Sequence, residues 1–349
     1  MKYLRTFIII CLLAFTAFPV TAKASDFTVD GFHYSITSTT PLTVEVERGP
    51  DEAVVTVPST VVFRNRTFRV TGISYYAFRN YTKLRSVDMP SITYIEDANS
   101  NGAFSDCSNL SDVNMPAATY IGDWAFESCG ALTSISLPAA TSIGNYAFFV
   151  CDSLTSVSLP AATSIGNYAF YDCYALTSVS LPAATSIGHE AFQYCNTLTS
   201  VSMPVATSIG QNAFYDCSSL CDIYVGDQPA QCSDDSFSKI TYATATLHVP
   251  AGCASKYKEA NSWKNFAFIS EDYDPTGIKS TKVDDVKIYT DNGSVQITGL
   301  KEGEKVLFYS LDGKLIGAQK ANSGTISITT SEPVVICKMG GKSIKILVK

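Results

Sequence analysis

Cysteine is the residue type whose spacing in this sequence most suggests chemistry. Six cysteines recur every 22 residues: Cys107, Cys129, Cys151, Cys173, Cys195 and Cys217. Converging thiolates can bind a metal, and neighbouring thiols can form disulfides. One cysteine per repeat instead predicts a line of side chains that point the same way, with Cβ atoms too far apart for a relaxed disulfide. We therefore expect buried free thiols in this series. A disulfide among Cys221, Cys232 and Cys253 stays open, because their connectivity cannot be deduced from sequence.

Residues that could support catalysis are few and badly placed. His33, His189 and His248 lack metal-ligand spacing, and His189-Glu190 lacks the second histidine of a zinc protease helix. Two serine series recur at the repeat interval, Ser134, Ser156, Ser178, Ser200 and Ser136, Ser158, Ser180, Ser202. Neither series has a base beside it that would activate a hydroxyl group. We predict no catalytic, cofactor or metal site.

The regular spacing reflects a repeated unit, which is typical of a solenoid. Six phenylalanines follow the same 22-residue interval: Phe104, Phe126, Phe148, Phe170, Phe192 and Phe214. In one unit a short strand ends at Pro138, because proline cannot donate to a sheet ladder. Ala147 to Cys151 then has room for about one helical or 3₁₀ turn. One unit cannot bury its apolar residues alone, so stacked units must stabilise one another.

The unit, written LxxIxLPxxxxxIGxxAFxxCxx, resembles the BspA-type (Treponema pallidum type) leucine-rich repeat of bacterial cell-surface proteins, such as those of Bacteroidetes. The resemblance covers Val54 to Ile269, with Pro138 to Ile143 one residue shorter than the usual form. It implies a right-handed α/β-type superhelix of short strands and helical or 3₁₀ turns. It also implies adhesion, because some relatives bind extracellular-matrix proteins or other bacteria.

The remaining segments predict an exported protein with two folded parts. Residues 1–24 read as a signal peptide, with Lys2 and Arg5 before an apolar stretch and a small-x-small cleavage site. We predict an N-terminal β cap at 25–70, the solenoid with its C-terminal cap at 71–270, a linker at 271–277 and a small β-sandwich at 278–349. Residues 308–314 resemble type IX secretion sorting domains. This implies sorting or anchoring, with a plain accessory module as the alternative.

Charge limits the classes of partner. The formal net charge is −7, and losing three basic residues with the signal peptide leaves about −10. An acidic chain disfavours nucleic acid and anionic membranes as partners. No later stretch resembles a transmembrane helix. The expected partner is a host extracellular-matrix protein or another cell-surface protein. A glycan is the second alternative. The third alternative is a passive spacer that binds no partner.

Aromatic residues at the variable positions around Ala-Phe predict a contact surface. The candidate contact residues are Phe149, Tyr171 and Tyr215, with Tyr174 and Tyr194 nearby. A second series, Trp124, Tyr146 and Tyr168, either joins that surface or lies flat against the neighbouring repeats. The segment from Glu96 to Gly102 contains four extra residues. Insertions in solenoids form loops, so we predict a loop that bulges from the side of the solenoid.

Overall fold

The computed structural model describes residues 26–273, 286–291, 294–310, 315–330, 334–339 and 342–348. The expected signal peptide lies outside these residues, as do residues 274–277 of the linker and 311–314 of the sorting-like segment. Within the described ranges, no helix is long and apolar enough to cross a membrane.

The first strands form the N-terminal cap, and all but one belong to a sheet that continues into the solenoid. They are β1 (Phe27–Val29), β2 (Phe32–Thr39), β3 (Leu42–Arg48), β4 (Val54–Thr56), β5 (Thr60–Phe63) and β6 (Arg66–Ile73). The exception, Val54–Thr56, pairs parallel with Ser86–Asp88. β1, β2 and β3 pair antiparallel, as do β5 and β6. β6 pairs parallel with β3 and with the next strand of the same sheet. These strands cover an end that would otherwise expose core side chains and unpaired backbone groups.

Each repeat contributes one strand to the first side of the solenoid. These strands are β7 (Ser86–Asp88), β9 (Asp112–Asn114), β11 (Ser134–Ser136), β13 (Ser156–Ser158), β15 (Ser178–Ser180), β17 (Ser200–Met203) and β19 (Asp222–Val225). Pairing is parallel and one repeat apart within two groups, β7-β9 and β11-β13-β15-β17-β19, so Ser134 lies opposite Ser156. Side chains alternate along each strand, which buries Ile135 and exposes the serines beside it.

The second side carries two-residue strands. They are β8 (Tyr94–Ile95), β10 (Tyr120–Ile121), β12 (Ser142–Ile143), β14 (Ser164–Ile165), β16 (Ser186–Ile187) and β18 (Ser208–Ile209). They extend the sheet of the N-terminal cap by parallel pairing. The isoleucine of each strand is buried in the core.

The third side consists of turns, where the structure differs from the helical or 3₁₀ turn predicted for Ala147 to Cys151. Tyr146 and Val150 have φ angles of 57° and 55°, and this left-handed conformation is incompatible with a continuing right-handed helix. The N–H groups of Tyr146, Phe148 and Val150 donate to carbonyl oxygens of the next repeat at 2.8–2.9 Å. The turns therefore hydrogen-bond between repeats, as a sheet does.

Stacked phenylalanines and cysteines fill the core behind the turns. Eight rings form a continuous column with centroids 4.9–5.3 Å apart: Phe78, Phe104, Phe126, Phe148, Phe170, Phe192, Phe214 and Phe237. Each series thiol donates to a phenylalanine carbonyl one repeat earlier, as Cys151 Sγ does to Phe126 O at 3.2 Å. All ten cysteines of the described residues are free, including Cys221, Cys232 and Cys253. The prediction of buried free thiols for the six-residue series is confirmed.

The far end of the solenoid is closed by two short helices and two strands. These are α1 (Lys239–Thr244), β20 (Thr246–His248), α2 (Ala254–Glu259), a 3₁₀ turn (Trp263–Asn265) and β21 (Phe268–Ser270). The indole N–H of Trp263 donates to the carbonyl of Ala230 at 2.7 Å. The rings of Tyr242 and Phe266 meet the last stacked ring, Phe237, edge-on, which ends the column.

The described residues of the C-terminal region form β-strands, as predicted. Its strands are β22 (Lys287–Asp291), β23 (Ser294–Thr298), β24 (Lys305–Tyr309), β25 (Leu315–Lys320), β26 (Thr325–Thr329), β27 (Val334–Met339) and β28 (Lys342–Leu347). They pair antiparallel in two sheets, β22-β23-β26 and β25-β24-β27-β28. Buried residues of both sheets, such as Ile297 and Phe308, form a hydrophobic cluster separate from that of the solenoid.

Candidate functional site

In each turn of the third side, a buried Ala-Phe pair lies between partly exposed residues. In one repeat Ala147 and Phe148 are fully buried, whereas Tyr146 and Phe149 on either side of them are half-buried. Tyr146 and Val150 adopt left-handed conformations, and the buried pair lies between them. Surface aromatics therefore recur at the repeat spacing.

These aromatics stack into two columns. Trp124 lies parallel to Tyr146 with ring centroids 3.9 Å apart, and Tyr146 lies parallel to Tyr168 at 4.6 Å. Phe149 stacks on Tyr171 at 5.0 Å in the second column. The columns contact each other, and Tyr194 meets Tyr171 edge-on. We call this set the aromatic wall: Trp124, Tyr146, Phe149, Tyr168, Tyr171 and Tyr194.

The predicted contact residues divide between the wall and isolated positions. Phe149, Tyr171 and Tyr194 belong to the wall, where they are half-buried and carry part of the packing between repeats. Tyr174 and Tyr215 are 48% and 38% exposed, and neither ring pairs with another aromatic ring among the described residues. The other series, Trp124, Tyr146 and Tyr168, lies flat against neighbouring repeats, which was one of its two predicted arrangements.

Polar residues bound the wall at both ends. Glu190 continues the first column and accepts a hydrogen bond from Tyr168 Oη at 3.1 Å. Glu127 and Gln193 flank Phe149 and Tyr171 in the second column. Glu127 Oε2 and Gln193 Oε1 are buried without a hydrogen-bond partner in the described part of the chain. The columns therefore end at polar residues, of which Glu190 is partly exposed.

Two tyrosines of the wall have pKa values raised above the ordinary value near 10. Desolvation raises the pKa of Tyr168, and the adjacent Glu190 carboxylate raises it further. Desolvation also raises the pKa of Tyr171, with added repulsion from Tyr194 and Glu190. Both phenol groups therefore remain hydrogen-bond donors as well as acceptors.

A ladder of side-chain amides and carboxylates fixes the backbone beside the wall. Asp123 Oδ1 accepts from the N–H of Asn145 at 2.6 Å, and Asn145 Oδ1 accepts from the N–H of Asn167 at 2.8 Å. The last bond joins Asn167 Oδ1 to the N–H of His189 at 2.8 Å. We did not predict this ladder, although its signal is a recurrent Asp or Asn directly after Ile-Gly.

Comparison with known families decides what kind of repeat this is. The model of the BspA type leucine-rich repeat region matches six copies, at residues 71–184 and 163–260. Together these matches span more than half of the chain. The chain belongs to the BspA-type leucine-rich repeat family. The resemblance seen in the sequence is thereby confirmed, whereas similarity of the C-terminal region to sorting domains is not supported by these matches.

The chain is also similar to solved structures of leucine-rich repeat proteins. The Treponema pallidum leucine-rich repeat protein is 26% identical with a TM-score of 0.50, over 56% of this chain and 90% of that one. A leucine-rich cell surface protein from Faecalibacterium prausnitzii is 20% identical, with a TM-score of 0.35 over 70% and 94%. A leucine-rich repeat protein from Bacteroides ovatus is 19% identical, with a TM-score of 0.36 over 64% and 84%. No curated protein matches the chain.

The BspA-type solenoid also brings together charged groups that are distant in sequence. The ring of His248 lies between Asp222 and Asp272, with Nε2–Oδ1 and Nδ1–Oδ1 distances of 2.9 and 2.7 Å. Tyr224 stacks on the imidazole at 4.4 Å. Among the described residues, no group of three His, Cys, Asp or Glu side chains is arranged to hold a metal ion. These contacts tie residues 271–273 to the last strands.

Proposed function

We propose that this BspA-type chain is a secreted or cell-surface binding protein without catalytic activity, which presents its repeats to a macromolecular partner. The expected partner is a protein of the host extracellular matrix or of another cell surface. Export rests on the predicted signal peptide, and the non-catalytic role rests on the family of repeat proteins. The observation that carries the proposal is the aromatic wall.

The wall has the properties of a protein-binding surface. Tyrosine and tryptophan supply large contact areas and are enriched at binding hot spots. Stacking at 3.9–5.0 Å holds the rings in place before a partner arrives. Little side-chain entropy is therefore lost on binding, which favours affinity. The Glu190 carboxylate, at the end of the first column, supplies hydrogen-bond acceptors beside the apolar centre.

A glycan is the second candidate partner, and it fits different residues. Sugar recognition by stacking needs a free aromatic face, but neighbouring rings cover the faces inside the wall. Tyr174 and Tyr215 are the better stacking residues, since their exposed rings have no aromatic neighbour among the described residues. A passive spacer is the third reading, because near-identical repeats offer little information for recognising a partner.

Binding of residues 25–349 to a panel of matrix proteins, bacterial cells and glycans tests the proposal. We expect saturable binding to a protein or cell, retained by residues 25–277 because the solenoid has its own core. Binding to glycans alone would favour the second candidate. Silence across the panel from both chains would contradict a binding role and favour the spacer.

A further inference from the structure

A pocket opens beside the insertion that interrupts the repeat pattern. It has a volume of about 530 Å³ and is lined by Tyr75, Tyr94, Ile95, Glu96, Asp97 and Tyr120. Glu96 and Asp97 begin the segment that carries the four extra residues. Tyr75 comes from the preceding repeat and Tyr120 from the following one. The pocket therefore spans three repeats.

The pocket exists because these repeats depart from the pattern of the others. Where later repeats have Ser142, Gly144 and Asn145, this one has Tyr94, Glu96 and Asp97. The next repeat keeps a tyrosine at the first position, and Tyr120 pairs with Tyr94 across the parallel strands. Large aromatic and acidic side chains thus replace small neutral ones at one place on the second side of the solenoid. Near-identical repeats cannot provide such a distinguishing feature.

Hydrogen bonds hold the pocket residues in position. Tyr120 Oη donates to Asp97 Oδ1 at 2.5 Å, and the N–H of Asp123 donates to the same oxygen at 3.0 Å. Ser74 Oγ donates to Glu96 Oε2 at 2.8 Å. These bonds leave lone pairs on both carboxylates for a ligand. The site is preorganised.

The Tyr94 ring is fixed as well. Its hydroxyl donates to Glu45 Oε2 at 3.1 Å, and Glu45 itself is buried. The ring also lies against the backbone of Gly72, where an added Cβ atom would be 2.2 Å from Tyr94 Cζ. Glycine at position 72 is therefore required for the ring to occupy this place.

We propose that this pocket binds a cationic side chain of a partner protein, with arginine preferred. Carboxylates bind a guanidinium group through charge-assisted hydrogen bonds, and tyrosine rings attract cations through their π-electrons. Arginine suits the pocket better than lysine because its planar group combines carboxylate pairing with ring stacking. The inference rests on the proposed binding function but assigns recognition of charge to a surface outside the aromatic wall.

The test uses a small probe, so that no natural partner is needed. The peptide acetyl-Gly-Gly-Arg-Gly-Gly-amide is titrated into the full chain with ¹³C-labelled tyrosine rings, and a matched peptide carries citrulline, the neutral isostere of arginine. We expect saturable shifts of pocket tyrosines with the arginine peptide and about tenfold weaker binding of the citrulline peptide. Added salt should weaken the arginine complex, because the carboxylates are near the surface.

Two double variants locate the site. Glu96→Gln with Asp97→Asn keeps the shape and the acceptor oxygens, and should weaken binding of the arginine peptide about tenfold. Asp152→Asn with Asp216→Asn removes the same charge elsewhere and should leave binding unchanged. Equal binding of both peptides, equal loss in both variants, or no shift with arginine would overturn the proposal. So would binding of a neutral saccharide, with maltotriose as the probe, in place of the arginine peptide.

The outcome is separable from that of the proposed function. Phe149→Gln with Tyr171→Gln alters the wall and should leave peptide binding unchanged. A silent partner panel with intact peptide binding would contradict the proposed function while supporting the pocket. The opposite result is panel binding that is unaffected by Glu96→Gln with Asp97→Asn, together with no peptide binding. It would support the proposed function and contradict the pocket proposal.

Discussion

Gly166 lies directly over Gly144 on the second side of the solenoid, so close that a Cβ atom at residue 166 would be 2.5 Å from the carbonyl carbon of Gly144. Real Cβ atoms do not approach backbone atoms to that distance. The glycines that follow Ile121, Ile143, Ile165, Ile187 and Ile209 are therefore set by the spacing between repeats and not by a turn conformation.

Gly166→Ala should destabilise the solenoid, because the added methyl group meets backbone that cannot rotate away. Overpacking of this kind costs about 1–3 kcal/mol, which we expect to appear as a lower melting temperature. Gly130→Ala is the matched control, since nothing lies within 4 Å of its Cβ position. Similar melting temperatures for the two variants would show that the close approach is not a constraint.

Val150→Asn should stabilise the protein. Val150 has a φ of 55°, a conformation that β-branched residues rarely adopt, and the equivalent residues Asp172 and Asp216 are of types that tolerate it. Relief of this strain is worth about 1 kcal/mol. Thermal unfolding measures the effect, with Asp172→Val as the converse change that should lower the melting temperature. A less stable Val150→Asn variant would mean that packing of the valine side chain outweighs backbone strain.

Buried thiols should make the solenoid lose stability in mild alkali. Desolvation raises the pKa of Cys151 to about 12 and that of Cys107 to about 12. The unfolded chain releases these protons near pH 8.5. The stabilising contribution is complete below that pH and is lost as the pH rises toward the folded-state pKa. Melting temperatures at pH 7 and pH 10 measure this loss.

Cys151→Ala is the control for the thiol prediction, because buried tyrosines with raised pKa values add to the same trend. The variant will be less stable at pH 7, since it loses packing and the bond to Phe126 O. Its melting temperature should fall less than that of the unaltered protein between pH 7 and pH 10. An equal or larger fall would show that ionisation of Cys151 does not contribute.

The sequence predicted the repeated core well and its connections poorly. The 22-residue interval alone predicted that Phe148 and Cys151 stack in the core and that a strand ends at Pro138, because each of these residue types recurs at one position of the unit. The left-handed conformations of Tyr146 and Val150 were not predicted, since tyrosine and valine rarely adopt a positive φ. A helical turn was predicted in their place.

The candidate sites show the same division. The wall aromatics were visible because they repeat at a fixed interval. The pocket was not, because its tyrosines come from three repeats and its shape depends on the insertion. The contacts of His248 were missed because the repeat pattern decays before it. Continuing the parallel pairing from the strand Asp222–Val225 to the next strand would have placed His248 on the strand beside Asp222.

Acid should release the contact between Asp272 and His248. Burial alone would raise the pKa of Asp272, but the hydrogen bond and charge of His248, with bonds from Ser270 and the local backbone, lower it overall. A lowered pKa stabilises the fold above the ordinary value near 4, and the effect is lost as the pH falls through the folded-state pKa. Asp272→Asn should therefore lower the melting temperature at pH 7 and have little effect near pH 3. A difference that persists at pH 3 would contradict this origin.

The aromatic wall as the contact surface is the central claim, and a comparison of two double variants tests it most directly. Phe149→Gln with Tyr171→Gln introduces the residue that Gln193 provides at the equivalent position, whereas Tyr174→Asn with Tyr215→Gln alters the isolated tyrosines. The affinity for the strongest-binding protein or cell of the panel is measured for both. We predict at least about a tenfold loss for the wall variant and little change for the other, as expected for hot-spot aromatics. Unchanged affinity in a folded wall variant would contradict the account.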